Sequence, residues 1–153
     1  MLAPDAVDRF AAELQASDSA TAVLQRRCAG DTITAAVDRS VSFKPSPAQR
    51  KALAVASSEP VSYRRVRLMC GAVVMSTAEN WYVPARLTTA MQSALAGDAP
   101  FGAVIRPLGP TRTTVAVLRL GSDPVLRVEA VVIGADRRPL AYVIETYAAA
   151  AVR

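Results

Sequence analysis

Residues 61–83 read VSYRRVRLMCGAVVMSTAENWYV, two runs of strand-forming residues with Gly71 between them. So short a link folds the second run back on the first, because parallel neighbours need a crossover of about a dozen residues. The pattern recurs at 125–133 and 140–147, which flank the turn-rich GADRRP. Runs at 32–43 and 113–120 complete the set, the third strand being read as 72–77 resuming at 80–83. Six strands with short links imply an antiparallel sheet.

Between and before the strands lie short helical patterns. Ala6, Val7, Phe10, Ala11 and Leu14 form one stripe over 4–16. Asp18 or Ser19 would cap a second helix, 48–55 a third, and Thr88 a fourth that stops at Gly97. Pro100 opens a last short element, PFGAVIRPLG. The class expected is α+β, a single domain over 1–153 with short helices packed on a six-stranded antiparallel sheet.

A chain that is 52% hydrophobic and 20% charged is globular rather than disordered. No uncharged apolar run approaches the roughly 18–20 residues of a membrane helix. MLAPDAVDRF lacks the basic-then-apolar order of a secretory leader. A cytoplasmic protein with no membrane partner is therefore expected.

Composition narrows the chemistry further. With no histidine in the chain, Ser-His-Asp and Cys-His catalysis and histidine-ligated metals are excluded. Cys28 and Cys70 have no CxxC spacing and are expected to be small buried hydrophobes. Glycine-rich dinucleotide and phosphate loops are absent as well. What remains is carboxylates, arginines, hydroxyls and backbone amides, with no metal or organic cofactor expected. Of 18 basic residues all but Lys44 and Lys51 are arginine, whose planar fork matches a carboxylate. The arginines are scattered along the chain, which argues against a nucleic-acid partner.

Three stretches carry candidate functional groups. In RRVRLMC (64–70), alternation puts Arg65, Arg67 and Met69 on one face and Arg64, Val66, Leu68 and Cys70 on the other. No choice of buried face removes every arginine from the interior; Arg64 is expected to be solvated or surface-paired. Glu145 sits among apolar and aromatic neighbours in LAYVIETY, on the face of Val143 and Tyr147. A carboxylate is rarely buried without a partner, so it lies either at a wet edge or in a pocket beside an arginine. PFG at 100–102 offers the amides of Phe101 and Gly102 as an anion seat if a helix begins there. Trp81 and Tyr82 are read as core, and Arg86 as solvated.

The order and spacing of DSATAVL (18–24), TITAAV, RVRLMC (65–70), PFG (100–102) and RRPLAYVIET (137–146) resembles the chorismate lyase (chorismate pyruvate-lyase) family. The resemblance implies a cofactor-free elimination that converts chorismate to 4-hydroxybenzoate and pyruvate. It implies that Arg65 holds the ring carboxylate with backbone amides near Ala20 and at Phe101 and Gly102. Glu145 would contact the ring 4-hydroxyl, as base or orienting group. Family members carry a second arginine where this chain has Asn80, and Arg67, Arg86 or Arg106 would have to replace it. The same UTRA-like fold serves as the effector domain of GntR-type regulators. The alternative function is therefore a non-catalytic module that binds an aromatic carboxylate. On either reading the partner is a small molecule and the protein a monomer or homodimer.

Overall fold

A computed structural model of the chain describes residues 4–153. Six strands, β1 (Ile33–Asp38), β2 (Ser62–Cys70), β3 (Val73–Tyr82), β4 (Thr111–Arg119), β5 (Leu126–Ile133) and β6 (Pro139–Tyr147), form one antiparallel sheet in the order β1-β2-β3-β6-β5-β4. The hairpin at Gly71 turns through a φ of +58°, a conformation a glycine adopts without a Cβ clash. β3 runs unbroken through Ala78 and Glu79, which pair with Val66 and Arg65 on one side and with Glu145 and Ile144 on the other. β1 stops at Asp38, short of residue 43, because its carboxylate accepts the Ser40 amide at 2.9 Å and turns the chain out of the ladder.

The helices fall on both faces, unequally. α1 (Pro4–Gln15) and α2 (Ala20–Arg26) bring Phe10, Val23 and Leu24 over Val66, Leu68, Val128 and Tyr147. α4 (Thr89–Leu95) and α5 (Phe101–Ile105) bring Met91, Phe101 and Ile105 over Ala130, Val132 and Val143. α3 (Pro47–Ala52) lies on the opposite face, where Leu53 at its end packs with Trp81, Val131 and Tyr142. Trp81 is core, its indole N–H donating to the Phe43 carbonyl at 2.9 Å. Ser19 and Thr88 cap α2 and α4 by accepting the amides of Ala22 and Met91, each at 3.1 Å. A closing helix, α6 (Ala149–Val152), buries Ala151 and Val152; its four small residues are too short to show a period.

Three expectations from the sequence are corrected here. Cys28 is buried and Cys70 partly buried against the core, but as a disulfide with Cα atoms 5.6 Å apart, tying the end of α2 to the end of β2. Residues so distant in sequence carry no pairing signal; only the return of α2 across the sheet brings them together. Arg64 is not solvated: it is 4% exposed, because its face is the one that Val66 and Leu68 turn inward. Arg86 is half-buried and its guanidinium clips three carbonyls, those of Leu53, Ala54 and Pro139. Among the described residues no helix is long and apolar enough to cross a membrane.

Candidate functional site

A cavity of about 300 Å³ lies between the starts of α2 and α5 and the sheet beneath them. Its floor is Val66, Leu68, Ala78, Val132 and Val143, inward positions of four strands. Ser19, Ala20 and Thr21 form one wall, and Phe101, Gly102 and Ile105 another. At Gly102 the walls are one methyl group apart: a Cβ there would sit in ordinary contact, 3.6 Å from Ser19 Oγ and 3.7 Å from Thr21 Oγ1. Anything larger than a methyl group would project between the two helix starts.

Polar groups interrupt this apolar lining at three places. The first is an ion pair from β4 and β6. Arg112 Nη1 donates to Glu145 Oε2 at 3.0 Å and Nη2 to Oε1 at 2.6 Å, a two-pronged fork. Both side chains are 9% exposed. The Tyr147 hydroxyl, fully buried, donates to Glu145 Oε1 at 2.8 Å. Burial alone would depress the Arg112 guanidinium, but the charge and hydrogen bonds of Glu145 outweigh it and hold the group above its ordinary range. Burial, then the Glu145 charge, pushes the Tyr147 phenol well above its usual value.

The second is Asn80, 3% exposed, whose Oδ1 is buried with no hydrogen-bond partner in the protein. Such an acceptor costs about 1–3 kcal/mol unless something else donates to it. The third is the rim, where the exposed side chains of Asp18 and Arg106 flank the opening. Among the described residues no cluster of three or more Cys, Asp or Glu side chains is placed to hold a metal ion.

Ala20, Phe101, Gly102 and Glu145 are brought together around this one cavity, with Asn80 beside them. Arg65 and Arg67 are not. A strand that turns Val66 and Leu68 inward turns residues 65 and 67 outward, and Arg65 stands across from Asp38 in β1 and Glu79 in β3. Arg65, expected to share one site with Glu145 as the clamp on a ligand carboxylate, is therefore outside it, and the arginine beside Glu145 is Arg112. Arg64, on the inward face, reaches past the cavity: its Nη2 donates to the carbonyls of Gly97, at 3.1 Å, and Ala99. It thereby fixes the link from α4 into Phe101, and burial lowers its pKa. Arg112 was hidden from sequence reasoning because a strand start at residue 113 leaves it in a loop. The strand begins at Thr111, so Arg112 is a strand residue whose side chain alternation aims inward.

No family model matches the chain. Over 119 residues, 72% of its length, it is 40% identical to the uncharacterized protein y4mC of Sinorhizobium fredii, and it spans about half of that relative, 50%. Among solved structures, the effector domain of PhnF from Mycobacterium smegmatis superposes with a TM-score of 0.65 at 14% identity, covering 86% of this chain and 89% of that one. A GntR-family transcriptional regulator from Enterococcus faecalis superposes with a TM-score of 0.57 at 13% identity, covering 75% and 93%. At such identities the likeness is one of fold: the six-stranded antiparallel sheet with short helices of GntR-regulator effector domains.

Proposed function

We propose that the chain is a small-molecule-binding module of the effector-domain type, which holds its ligand in the cavity between α2, α5 and the sheet without converting it. The observation that carries this reading is the closed fork of Arg112 on Glu145 in the cavity wall. With Arg112 on both oxygens and Tyr147 on Oε1, three of the roughly four acceptor positions of Glu145 are filled from within the fold, and this engagement supports binding over proton transfer. An apolar cavity of about 300 Å³ with a few polar groups is the usual form of a ligand site. The effector domain of PhnF, with the same architecture, supports a binding role.

The test is thermal unfolding with candidate ligands. At 100 times its Kd a ligand adds about 2.7 kcal/mol to the native state, which in a chain of this length raises Tm by roughly 5–10 °C. Gly102→Leu should abolish the response, because the new side chain projects between Ser19 and Thr21. A ligand that stabilises the variant as well as the parent would remove the cavity from the function.

Chorismate lyase activity is the second reading, favoured by the convergence of Ala20, Phe101, Gly102 and Glu145 on one cavity. The elimination breaks the C3–O bond to the enolpyruvyl group and loses the hydrogen on C4. Incubated with chorismate, the protein should yield no 4-hydroxybenzoate above the spontaneous rate; sustained turnover lost in Glu145→Gln would reinstate the lyase.

A further inference from the structure

From the place of the Cys28–Cys70 bond, we infer that it is a redox control on ligand capture, which rests on the small-molecule reading of the cavity. Oxidised, the bond holds one cavity wall in place; reduced, it lets that wall loosen. α2 supplies the wall through Ser19, Ala20 and Thr21, and β2 supplies floor through Val66 and Leu68. Cys70 is the next position on that inward row of β2, and Cys28 stands just past the end of α2. The bond therefore joins the wall element to the floor element.

A helix of seven residues does not stand by itself in water. α2 is held by Val23 and Leu24 in the core and by Arg27 on Glu13 at 2.7 Å. Its Gln25 side chain binds the Asp31 carbonyl and the Ile33 amide, each at 2.8 Å. These contacts open and close without a reagent, and they keep the reduced protein folded. Only the disulfide needs a chemical partner to open. Without it, a ligand has to order the start of α2 as it binds. Cys28 is 4% exposed, whereas Cys70 is half-buried beside exposed Gly71. A low-molecular-weight thiol such as glutathione therefore approaches from the Cys70 side. Its thiolate attacks that sulfur, the S–S bond breaks, and Cys28 leaves as a thiolate that takes up a proton. A second thiol resolves the mixed disulfide, so two electrons pass to the protein and the reagent becomes its own disulfide. Linkage makes the control reciprocal: bound ligand shifts the thiol–disulfide equilibrium by the factor by which oxidation raises its affinity.

The test compares the full chain oxidised and reduced with glutathione, by amide hydrogen exchange and by calorimetric titration with 4-hydroxybenzoate as a ring-sized probe. The amides of Ala22 and Val23, which bond to Ser19, should lose protection on reduction. Met91 and Gln92, which bond to Thr88 in the same way at the start of α4, lie outside the disulfide loop and should keep theirs. The probe should bind the oxidised protein at least about fivefold tighter. Cys28→Ser with Cys70→Ser should match the reduced protein and ignore glutathione. Equal loss of protection at α2 and α4, equal affinity in the two states, or a reduced protein that does not fold overturns the inference. The bond then serves stability alone, and the binding reading stands. If the probe binds in neither state, the reading of the cavity as a site for ring-sized molecules falls, and the control on capture falls with it.

Discussion

Replacing Arg112 by Met removes the guanidinium from a cavity wall in which both partners of the pair are only 9% exposed. Glu145 then keeps one donor, the Tyr147 hydroxyl at 2.8 Å. Breaking a buried ion pair from one side costs about 3–5 kcal/mol. The surviving hydrogen bond to a charged acceptor keeps the loss near the lower limit, about 3 kcal/mol. At roughly 2–4 °C per kcal/mol for a chain of this size, Tm falls by about 6–12 °C. Glu145→Leu should cost about as much, because it strands the cation instead. Together, Arg112→Met and Glu145→Leu put two apolar side chains side by side in an apolar wall, and the loss should shrink to about 1 kcal/mol. The coupling in the resulting cycle, the two single losses less that of the double variant, is then about 5 kcal/mol. Urea unfolding followed by the fluorescence of Trp81, the chain's single tryptophan and 5% exposed, measures all four proteins. Single losses below 1 kcal/mol, or a double variant equal to the sum of the singles, would show that the pair is not the closed unit from which the site was argued.

Other outcomes follow from the same geometry. Reducing the Cys28–Cys70 disulfide frees a chain segment of 42 residues, and the loop-entropy relation puts the loss at about 4 kcal/mol; unfolding with and without reductant should differ by about 8–16 °C in Tm, and superimposable curves would mean that the bridge constrains nothing. Asn80→Leu should raise Tm slightly while weakening ligand binding, since it removes a buried unpartnered acceptor; a destabilised variant would show that the amide is satisfied within the fold. Burial, then the bond to Glu129, pushes the Tyr142 phenol up to about 12 from its ordinary 10.0. Its neutral form is favoured in the fold, so this contribution is intact below about pH 10 and lost as pH rises toward 12. Tyr63 and Tyr147 are raised by burial in the same direction. Absorbance at 295 nm should therefore report phenolate formation delayed beyond pH 10 and coincident with loss of the native circular dichroism. A titration of all four tyrosines near pH 10 in the folded protein would contradict the burial of these rings.

Much of the fold was written locally. Gly71 and the GADRRP turn each join strands that must lie antiparallel, and Ser19 and Thr88 announce their helices through a hydroxyl that accepts an amide. The cavity's helix starts, at Ala20 and at Phe101 and Gly102, were legible for the same reason: short segments mark them. What was not legible depends on which strand lies beside which. The alternation in RRVRLMC correctly separated Arg64 from Arg65 and Arg67, but which face is covered depends on where the helices pack. Family likeness selected Arg65, while the covered face is that of Val66 and Leu68.

The partner of Glu145 shows the limit most clearly. Thirty-three residues separate it from Arg112, and β5 lies between their strands in the sheet. Neither the spacing nor the composition of either segment encodes that meeting. It follows from the strand order, which places β4 outside β5 and lets a long side chain reach across one strand to β6. A guanidinium is among the few groups with both the reach and the fork to close on a carboxylate at that distance. Substituting lysine would keep the charge but offer a single point in place of two prongs. Arg112→Lys should therefore keep a cation beside Glu145 while freeing an acceptor position on the carboxylate, which makes it the variant in which a ligand hydroxyl gains easier access to that group. Appearance of chorismate turnover in Arg112→Lys, absent in the parent, would show that the closed fork is what separates binding from catalysis on this fold; an inactive variant with unchanged ligand affinity would place that separation elsewhere.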